Sequence, residues 1–106
     1  MVKIEILVIG RNEQILATVE RLINNNPQWH ATACLTDDDA LLACKQQLFD
    51  LVLLGGGIGE DSDSYLRQAL NTIQPKIKII QHYGGGSGLL TTEINMALAD
   101  RLPQAN

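Results

Sequence analysis

The residues with the clearest capacity for chemistry are glycines that follow apolar runs. Gly10 ends the first run, a cluster from Gly55 to Gly59 ends the third, and a cluster from Gly84 to Gly88 follows the fourth. All nine glycines of the chain fall in these three places, which we expect to be loops. Because glycine permits close approach of the backbone and lets successive N–H groups point at an anion, these loops are candidates for binding phosphate or carboxylate.

Three side chains in the same loops could assist an anion: Arg11 by its charge, Ser87 by its hydroxyl and His82 by its titratable ring. The candidate ligand-binding residues are Gly10, Arg11, Gly55, Gly56, Gly57, His82, Gly84, Gly85, Gly86 and Ser87. The alternative is that the glycines serve only tight turns. Neither cluster has a Gly-Lys-Ser/Thr motif or dinucleotide-binding spacing. Both interpretations therefore stay open.

Catalytic and metal chemistry is not expected. Ser87 and His82 lack an orienting acid, so they do not form a hydrolytic triad, and we predict that the chain is not an enzyme. Three consecutive aspartates, residues 37–39, are interpreted as the solvated start of a helix rather than a metal site. His30 is expected to point outward from an edge strand. We predict no cofactor and no bound metal.

Composition narrows the class of protein further. The chain has 106 residues and a net charge of −4, and its eight basic residues are scattered, which argues against nucleic-acid binding. No run is long enough to cross a bilayer, and the start of the chain does not resemble a signal peptide. Cys34 and Cys44 lie in apolar stretches and are predicted to be reduced thiols of a cytoplasmic protein.

Strand and helix patterns alternate along the whole chain. Strands are predicted at residues 4–9, 29–35, 51–54 and 76–83, each followed by a helix. The second helix begins after Thr36, with Asp39 in the position of a capping box, and the third is capped by Asp61, Ser62 or Asp63. The residues expected to face the core are Ile15, Leu16, Val19, Leu22 and Ile23 in the first helix, Ala40, Leu41, Ala43, Cys44 and Leu48 in the second, Tyr65, Leu66, Ala69, Leu70 and Ile73 in the third, and Leu90, Ile94, Ala97, Leu98 and Leu102 in the fourth.

This order predicts one α/β domain over residues 1–106. Alternating strands and helices form a doubly wound parallel sheet, because each crossover is right-handed and helices must cover both faces. With four strands in the order 2-1-3-4, the carboxyl ends of strands one, three and four are neighbours. The three glycine loops would then meet at a single edge of the sheet.

The chain resembles the receiver domain of two-component response regulators. Residues 49–54 are similar to the stretch that leads into the receiver phosphorylation site, residues 36–48 to the second helix, and residues 4–9 to the first strand. The resemblance covers about residues 1–82 and implies a flavodoxin-like fold and a role in signal transduction. It rests mainly on the apolar pattern of that fold.

The residues of receiver chemistry are missing from this sequence. The resemblance places Gly10 and Arg11 where a receiver has two acidic residues that help hold Mg²⁺, and Gly55 where it has the phosphate-accepting aspartate. Gln81 or His82 replaces the hydroxyl residue, and the usual fourth helix and fifth strand are absent. Because phosphoryl transfer needs the carboxylate and the metal, a degenerate receiver that cannot be phosphorylated is implied.

Two functions follow as hypotheses. The first is a signalling or scaffold module that acts through protein–protein interaction, and the alternative is a sensor of a small anion or nucleotide that uses the glycine loops. Without a fifth strand, residues 76–83 form an edge whose isoleucines need cover despite the protective Lys76 and Lys78. We therefore predict a homodimer that buries this edge or the third and fourth helices beside it, and no nucleic-acid or membrane partner.

Overall fold

The fold comprises four strands and four helices that alternate along the chain in a computed structural model, which describes residues 3–81 and 87–101. The elements in chain order are β1 (Ile4–Ile9), α1 (Glu13–Asn24), β2 (Trp29–Cys34), α2 (Asp37–Gln46), β3 (Leu51–Leu54), α3 (Glu60–Ile73), β4 (Lys78–Gln81) and α4 (Ser87–Arg101). The alternation predicted from the sequence is confirmed.

The strands form one parallel sheet in the order β2-β1-β3-β4, as predicted. β1 is central and pairs with β2 from Ile4 opposite Trp29, and with β3 from Ile6 opposite Leu51. β4 pairs with β3 alone and forms one end of the sheet. The glycines that follow β1 and β3 therefore lie side by side at the carboxyl edge.

Two apolar layers hold the helices on opposite faces of the sheet. Ile6 and Val8 of β1 contact the layer that contains α1 and α4, whereas Leu7 and Ile9 contact the layer that contains α2 and α3. This alternation follows from the period of two in a strand, and it explains why β1 is apolar on both faces. The flavodoxin-like arrangement, with helices on both faces, is confirmed.

Two helices begin with side-chain caps, and the third does not. The Asn12 carboxamide oxygen accepts a hydrogen bond from the N–H of Ile15, and the Thr36 hydroxyl accepts one from Asp39, as expected for α2. The prediction of a side-chain cap for α3 was wrong. Gly59 is its N-cap and makes no side-chain bond, because the helix already starts at Glu60, ahead of the predicted capping residues.

Three apolar residues assigned to the core are exposed instead. Leu48 lies beyond the end of α2 at Gln46 and therefore leaves the buried helical face. Ile15 and Tyr65 are each rotated by about 100° from a buried leucine on their helices, which is enough to place them in solvent.

Several boundaries also differ from the predicted ones. β2 ends at Cys34, and Lys76 lies in a turn before β4. Ser87 and Gly88 lie in the first turn of α4, so the prediction that all glycines occupy loops was wrong. Tyr83 and Leu102 lie outside the described residues. Within the described ranges, no helix combines the length and apolarity needed to cross a membrane.

Candidate functional site

The carboxyl edge of β1 and β3 contains a pocket of about 440 Å³. Five of the residues singled out in the sequence line it together: Gly10, Arg11, Gly55, Gly56 and Gly57. They meet because parallel pairing places Ile9 opposite Leu54, so the loops that follow these strands leave the sheet at the same level. The volume lies within the range of small-molecule sites in proteins.

The opposite wall of the pocket comes from β1 and the first half of α1. Its residues are Val8, Asn12, Ile15, Leu16 and Val19, none of which is predicted from the sequence to belong to a site. Ile15 is the most exposed of these apolar residues, at 59%. The only signal for this wall was the apolar face of α1, which is equally typical of a core helix. The wall makes the pocket more apolar than a phosphate cradle.

Two of the glycine amides expected to face an anion are already used. The N–H of Gly10 donates to the carbonyl of Cys34 at 3.1 Å, and the N–H of Gly55 donates to the carbonyl of Ile9 at 2.7 Å. Both groups thus extend the hydrogen bonding of the sheet. Within the described part of the chain, the N–H groups of Gly56 and Gly57 donate to no other residue, so they are the amides available to a ligand.

Gly57 is also the one described residue of the loop with a left-handed backbone, at φ +84°. A Cβ atom at this position would lie 3.2 Å from Cβ of Arg11. At Gly55, a Cβ would lie 3.2 Å from the carbonyl oxygen of Ile9. A Cβ at Gly56 would meet nothing within 4 Å. The shape of the loop therefore requires glycine at Gly57, whereas Gly56 tolerates a side chain.

Arg11 links three loops rather than offering an unpaired charge. Its Nη1 atom donates to the carbonyl of Leu35 at 2.9 Å, and Nη2 forms a salt bridge with Oδ1 of Asp37 at 2.5 Å. Its aliphatic stem packs against Gly57. Arg11 thus joins the loop after β1 to those after β2 and β3, and Asp37 neutralises its charge.

The part of the edge next to β4 has a different character. A shallow depression there is lined by Ile58, Glu60, Asp61, Asp63, Ser64 and Gln81. Its carboxylates belong to the first turn of α3, where the helix dipole favours negative charge. Among the described residues, no group of His, Cys, Asp and Glu side chains could hold a metal ion.

The remaining candidates follow β4 in the sequence. His82, Gly84, Gly85 and Gly86 lie outside the described residues. Ser87 is the first residue of α4. His30 is exposed on β2, as expected, and its Nδ1 atom lies 2.8 Å from Oε1 of Glu5.

Both thiols are free and buried in the layer beneath α2 and α3. Burial raises the pKa of Cys34, and the carboxylates of Asp39 and Glu20 raise it further. Burial raises the pKa of Cys44 to about 11, with a smaller contribution from Cys34. Because the reactive form of cysteine is the thiolate, neither residue is an activated nucleophile.

Comparisons with known proteins identify the fold. No protein-family model and no curated protein sequence matches this chain. Among solved structures, the BeF3-activated DrrB receiver domain is similar with a TM-score of 0.73 and 14% identity, covering 92% of this chain and 98% of that one. A CheY-like response regulator receiver domain from Methanospirillum hungatei JF-1 has a TM-score of 0.66 and 14% identity, covering 88% and 75%.

A third similar structure belongs to a protein that is named for a different role. It is a putative pilus assembly-related protein from Burkholderia pseudomallei K96243, with a TM-score of 0.69 and 15% identity, covering 91% of this chain and 90% of that one. At these identities the likeness shows the fold alone. The chain has the fold of response regulator receiver domains, and its sheet consists of four parallel strands in the order 2-1-3-4.

Proposed function

We propose that this protein is a receiver-like signalling or scaffold module that binds a protein partner and is not phosphorylated. The observation that carries the proposal is the chemistry at the carboxyl ends of β1 and β3. Gly55 directly follows β3 and uses its N–H in the sheet, while Arg11 after β1 is paired with Asp37. The loop after β1 therefore lacks the two carboxylates that would hold Mg²⁺, and glycine supplies no carboxylate to accept a phosphoryl group.

We also propose that the protein is not an enzyme and that it is located in the cytoplasm. The described loops bring no nucleophile next to a base, which supports a binding module rather than an enzyme. The free, buried Cys34 and Cys44 support a reducing, cytoplasmic environment. The receiver-like fold of the pilus assembly-related protein supports the idea that such a domain also serves in assembly.

The test is exposure to a small phosphodonor with Mg²⁺, read by intact mass and by amide NMR shifts. A phosphorylatable receiver domain, run in parallel, should gain one phosphoryl group and shift its spectrum. This protein should show neither change. A stable phospho-adduct on this chain would overturn the proposal, and its site would show which residue had replaced the missing carboxylate.

A second candidate is a sensor that binds a small anion or nucleotide in the glycine pocket. The volume of the pocket and the available N–H groups of Gly56 and Gly57 favour it. The pairing of Arg11 with Asp37 weighs against a strongly charged ligand, because binding through Arg11 would break that salt bridge.

The second candidate is tested by thermal shift against nucleotides and phosphorylated metabolites. Any ligand that binds here should lose affinity in Gly56→Val, which adds a branched side chain at a residue that lines the pocket, and in Arg11→Ala. Gly59→Ala is the matched control, because a Cβ at Gly59 also meets open space but Gly59 does not line the pocket. Failure of every compound to stabilise the protein would exclude this function.

A further inference from the structure

We infer that a groove around Leu48, at the amino end of β3, binds a partner protein through a segment that combines apolar and acidic side chains. This inference rests on the proposed protein-binding function and names the surface and the chemistry of the partner. The groove lies at the opposite end of the sheet from the glycine pocket, because β3 separates Leu48 from Gly55.

The side chain of Leu48 is exposed. It lies between α2 and β3 and is 79% exposed, more than any other exposed large hydrophobic residue in the described part of the chain. Leu48 therefore adds little to the packing of the core. A single exposed leucine is ordinary on a protein surface, so the inference needs the surroundings of Leu48 as well.

A buried glutamine fixes the backbone on both sides of Leu48. The side-chain oxygen of Gln74 accepts a hydrogen bond from the N–H of Phe49 at 3.0 Å, and its amide nitrogen donates to the carbonyl of Gln47 at 2.8 Å. The same nitrogen donates to the carbonyl of Cys44 at 2.9 Å. Because these bonds hold the loop before any partner arrives, little conformational freedom of the backbone is lost on binding.

Apolar depressions lie on both sides of Leu48. One has a volume of about 600 Å³ and is lined by Leu48, Phe49, Asp50, Ile73, Gln74, Pro75, Lys76 and Ile77. The other has a volume of about 440 Å³ and is lined by Cys44, Lys45, Gln46, Gln47, Leu48, Ile73 and Gln74. The two share Leu48, Ile73 and Gln74, so together they form one groove with Leu48 between its halves.

The charges around the groove select an acidic partner. Lys45 borders one half and Lys76 the other, and both are exposed. The carboxylate among the lining residues is that of Asp50, whose Oδ2 atom accepts a hydrogen bond from the N–H of Glu5. Among the lining residues of the groove, two lysines therefore outnumber one carboxylate, although the net charge of the chain is −4. The carboxylate of Glu5 lies beside the groove, where its Oε1 atom accepts a hydrogen bond from Gln47 and contacts His30. The two lysines attract acidic residues that flank an apolar anchor, and they repel a basic segment.

The experiment uses a fluorescent amphipathic peptide of leucines and glutamates at helical spacing as the probe. Its control is the same peptide with lysine in place of glutamate. Amide NMR shifts on the full chain should change around Lys45, Leu48 and Lys76, and anisotropy should show at least tenfold weaker binding of the lysine peptide. The binding should weaken as salt is added, because the attraction is between exposed charges.

Leu48→Asp should lower the affinity for the acidic peptide at least tenfold. The matched control is Leu42→Asp, because Leu42 is also an exposed leucine, at 53%, and lines neither half of the groove. Since Leu48 is exposed, its substitution should leave the fold intact, which the amide spectrum of the free variant verifies. Equal losses in the two variants would contradict the inference.

Three other results would also overturn the inference: absence of binding at millimolar peptide, shifts confined to another surface, or equal affinity for the two peptides. Self-association that Leu48→Asp abolishes would instead place a second copy in the groove. These failures leave the proposed function standing if the phosphodonor produces no adduct. An adduct would overturn the proposed function whatever the peptide does.

Discussion

Gln74 ends α3 and has all of its side-chain hydrogen-bonding groups inside the protein. Its amide bonds to Phe49, Cys44 and Gln47, and it is 7% exposed. We predict that Gln74→Leu lowers the free energy of unfolding by about 3–5 kcal/mol, because one N–H and two carbonyls lose their partner in a buried place. Urea unfolding followed by circular dichroism measures the loss.

Gln46→Leu provides the comparison for this substitution, because Gln46 is exposed at the end of α2. Its free energy of unfolding should stay within about 0.5 kcal/mol of the wild type. A loss below about 1 kcal/mol in Gln74→Leu would mean that water satisfies the three backbone groups. In that case the rigidity attributed to the Leu48 loop would also fail.

The thiol of Cys44 makes stability depend on alkaline pH. Burial raises its pKa to about 11 in the folded protein, whereas an unfolded cysteine titrates near its ordinary value of about 8.5. The unfolded state therefore releases this proton first. The stabilising contribution is complete below pH 8.5, and it is lost as pH rises to about 11, by about 3 kcal/mol.

Cys44→Ala removes this titration, so its free energy of unfolding should fall less steeply than that of the wild type between about pH 8.5 and 11. Urea unfolding at a series of pH values gives both slopes under conditions that keep thiols reduced. Parallel curves would show that the folded protein ionises Cys44 as readily as the unfolded chain.

The contacts and exposure of individual side chains are the features that the sequence predicts least well. Arg11 is predicted from the sequence to offer its charge to an anion, but its salt bridge with Asp37 joins residues that are 26 positions apart and has no local signal. Gln74 gave no signal at all, because a glutamine near a proline is typical of any helix end. The spacing of Leu48 continues that of α2 and predicts a core position, but the helix ends two residues earlier, at Gln46.

At the level of elements, the start of α3 provides a matched pair of glycines. Gly59 is the N-cap, with φ −70°, and a Cβ there meets nothing within 4 Å. We predict that Gly59→Ser stabilises the protein by about 0.5–1 kcal/mol, because serine adds a capping oxygen and restricts the unfolded chain. Thermal and urea unfolding measure the gain.

Gly57→Ser should have the opposite effect, although it lies in the same loop. Gly57 has φ +84°, and the new Cβ would lie 3.2 Å from Cβ of Arg11. We expect a loss of about 1–3 kcal/mol from backbone strain and crowding. If both serine variants were equally stable, the loop would have a different conformation in solution.

The elements themselves could be predicted because each has a local signal. The apolar runs of β1 and β3 and the periodic faces of the helices indicate the βαβ order and therefore a parallel sheet, whereas the strand order 2-1-3-4 is what the receiver resemblance implies. The predicted N-cap of α3 was wrong. Asp61, Ser62 and Asp63 are all residue types that cap helices, but the first helical residue is Glu60, which precedes them. The first residue of a helix depends on the path of the preceding loop, and the helix propensities of individual residues do not determine that path.

At the scale of the whole molecule, the two ends of the sheet carry different chemistry. The carboxyl end has the glycine pocket, which is lined in part by Arg11, and the amino end has the groove around Leu48. β3 connects the two ends and is entirely buried. A partner at the amino end therefore leaves the glycine pocket accessible, so the two proposed activities are compatible in one chain.

β4 and α4 form a third surface of the molecule, which the predicted homodimer would bury. β4 is the end of the sheet, and a broad depression of about 740 Å³ lies between it and α4, lined by Lys78, Ile80, Gln81, Glu93, Met96, Ala97 and Ala99. Met96 is an exposed large apolar residue there. We propose that a second copy of the chain covers this surface, since apolar area buried between copies stabilises association.

Sedimentation equilibrium at about 100 µM should then show a dimer, because association depends on concentration. Met96→Glu should weaken the dimer at least tenfold by placing a carboxylate in an apolar contact, whereas Met96→Leu should preserve it. Leu48→Asp should leave the dimer unchanged, since Leu48 lies on a different surface. A wild-type monomer at this concentration would contradict the proposal. A dimer insensitive to Met96→Glu would move the interface away from β4 and α4.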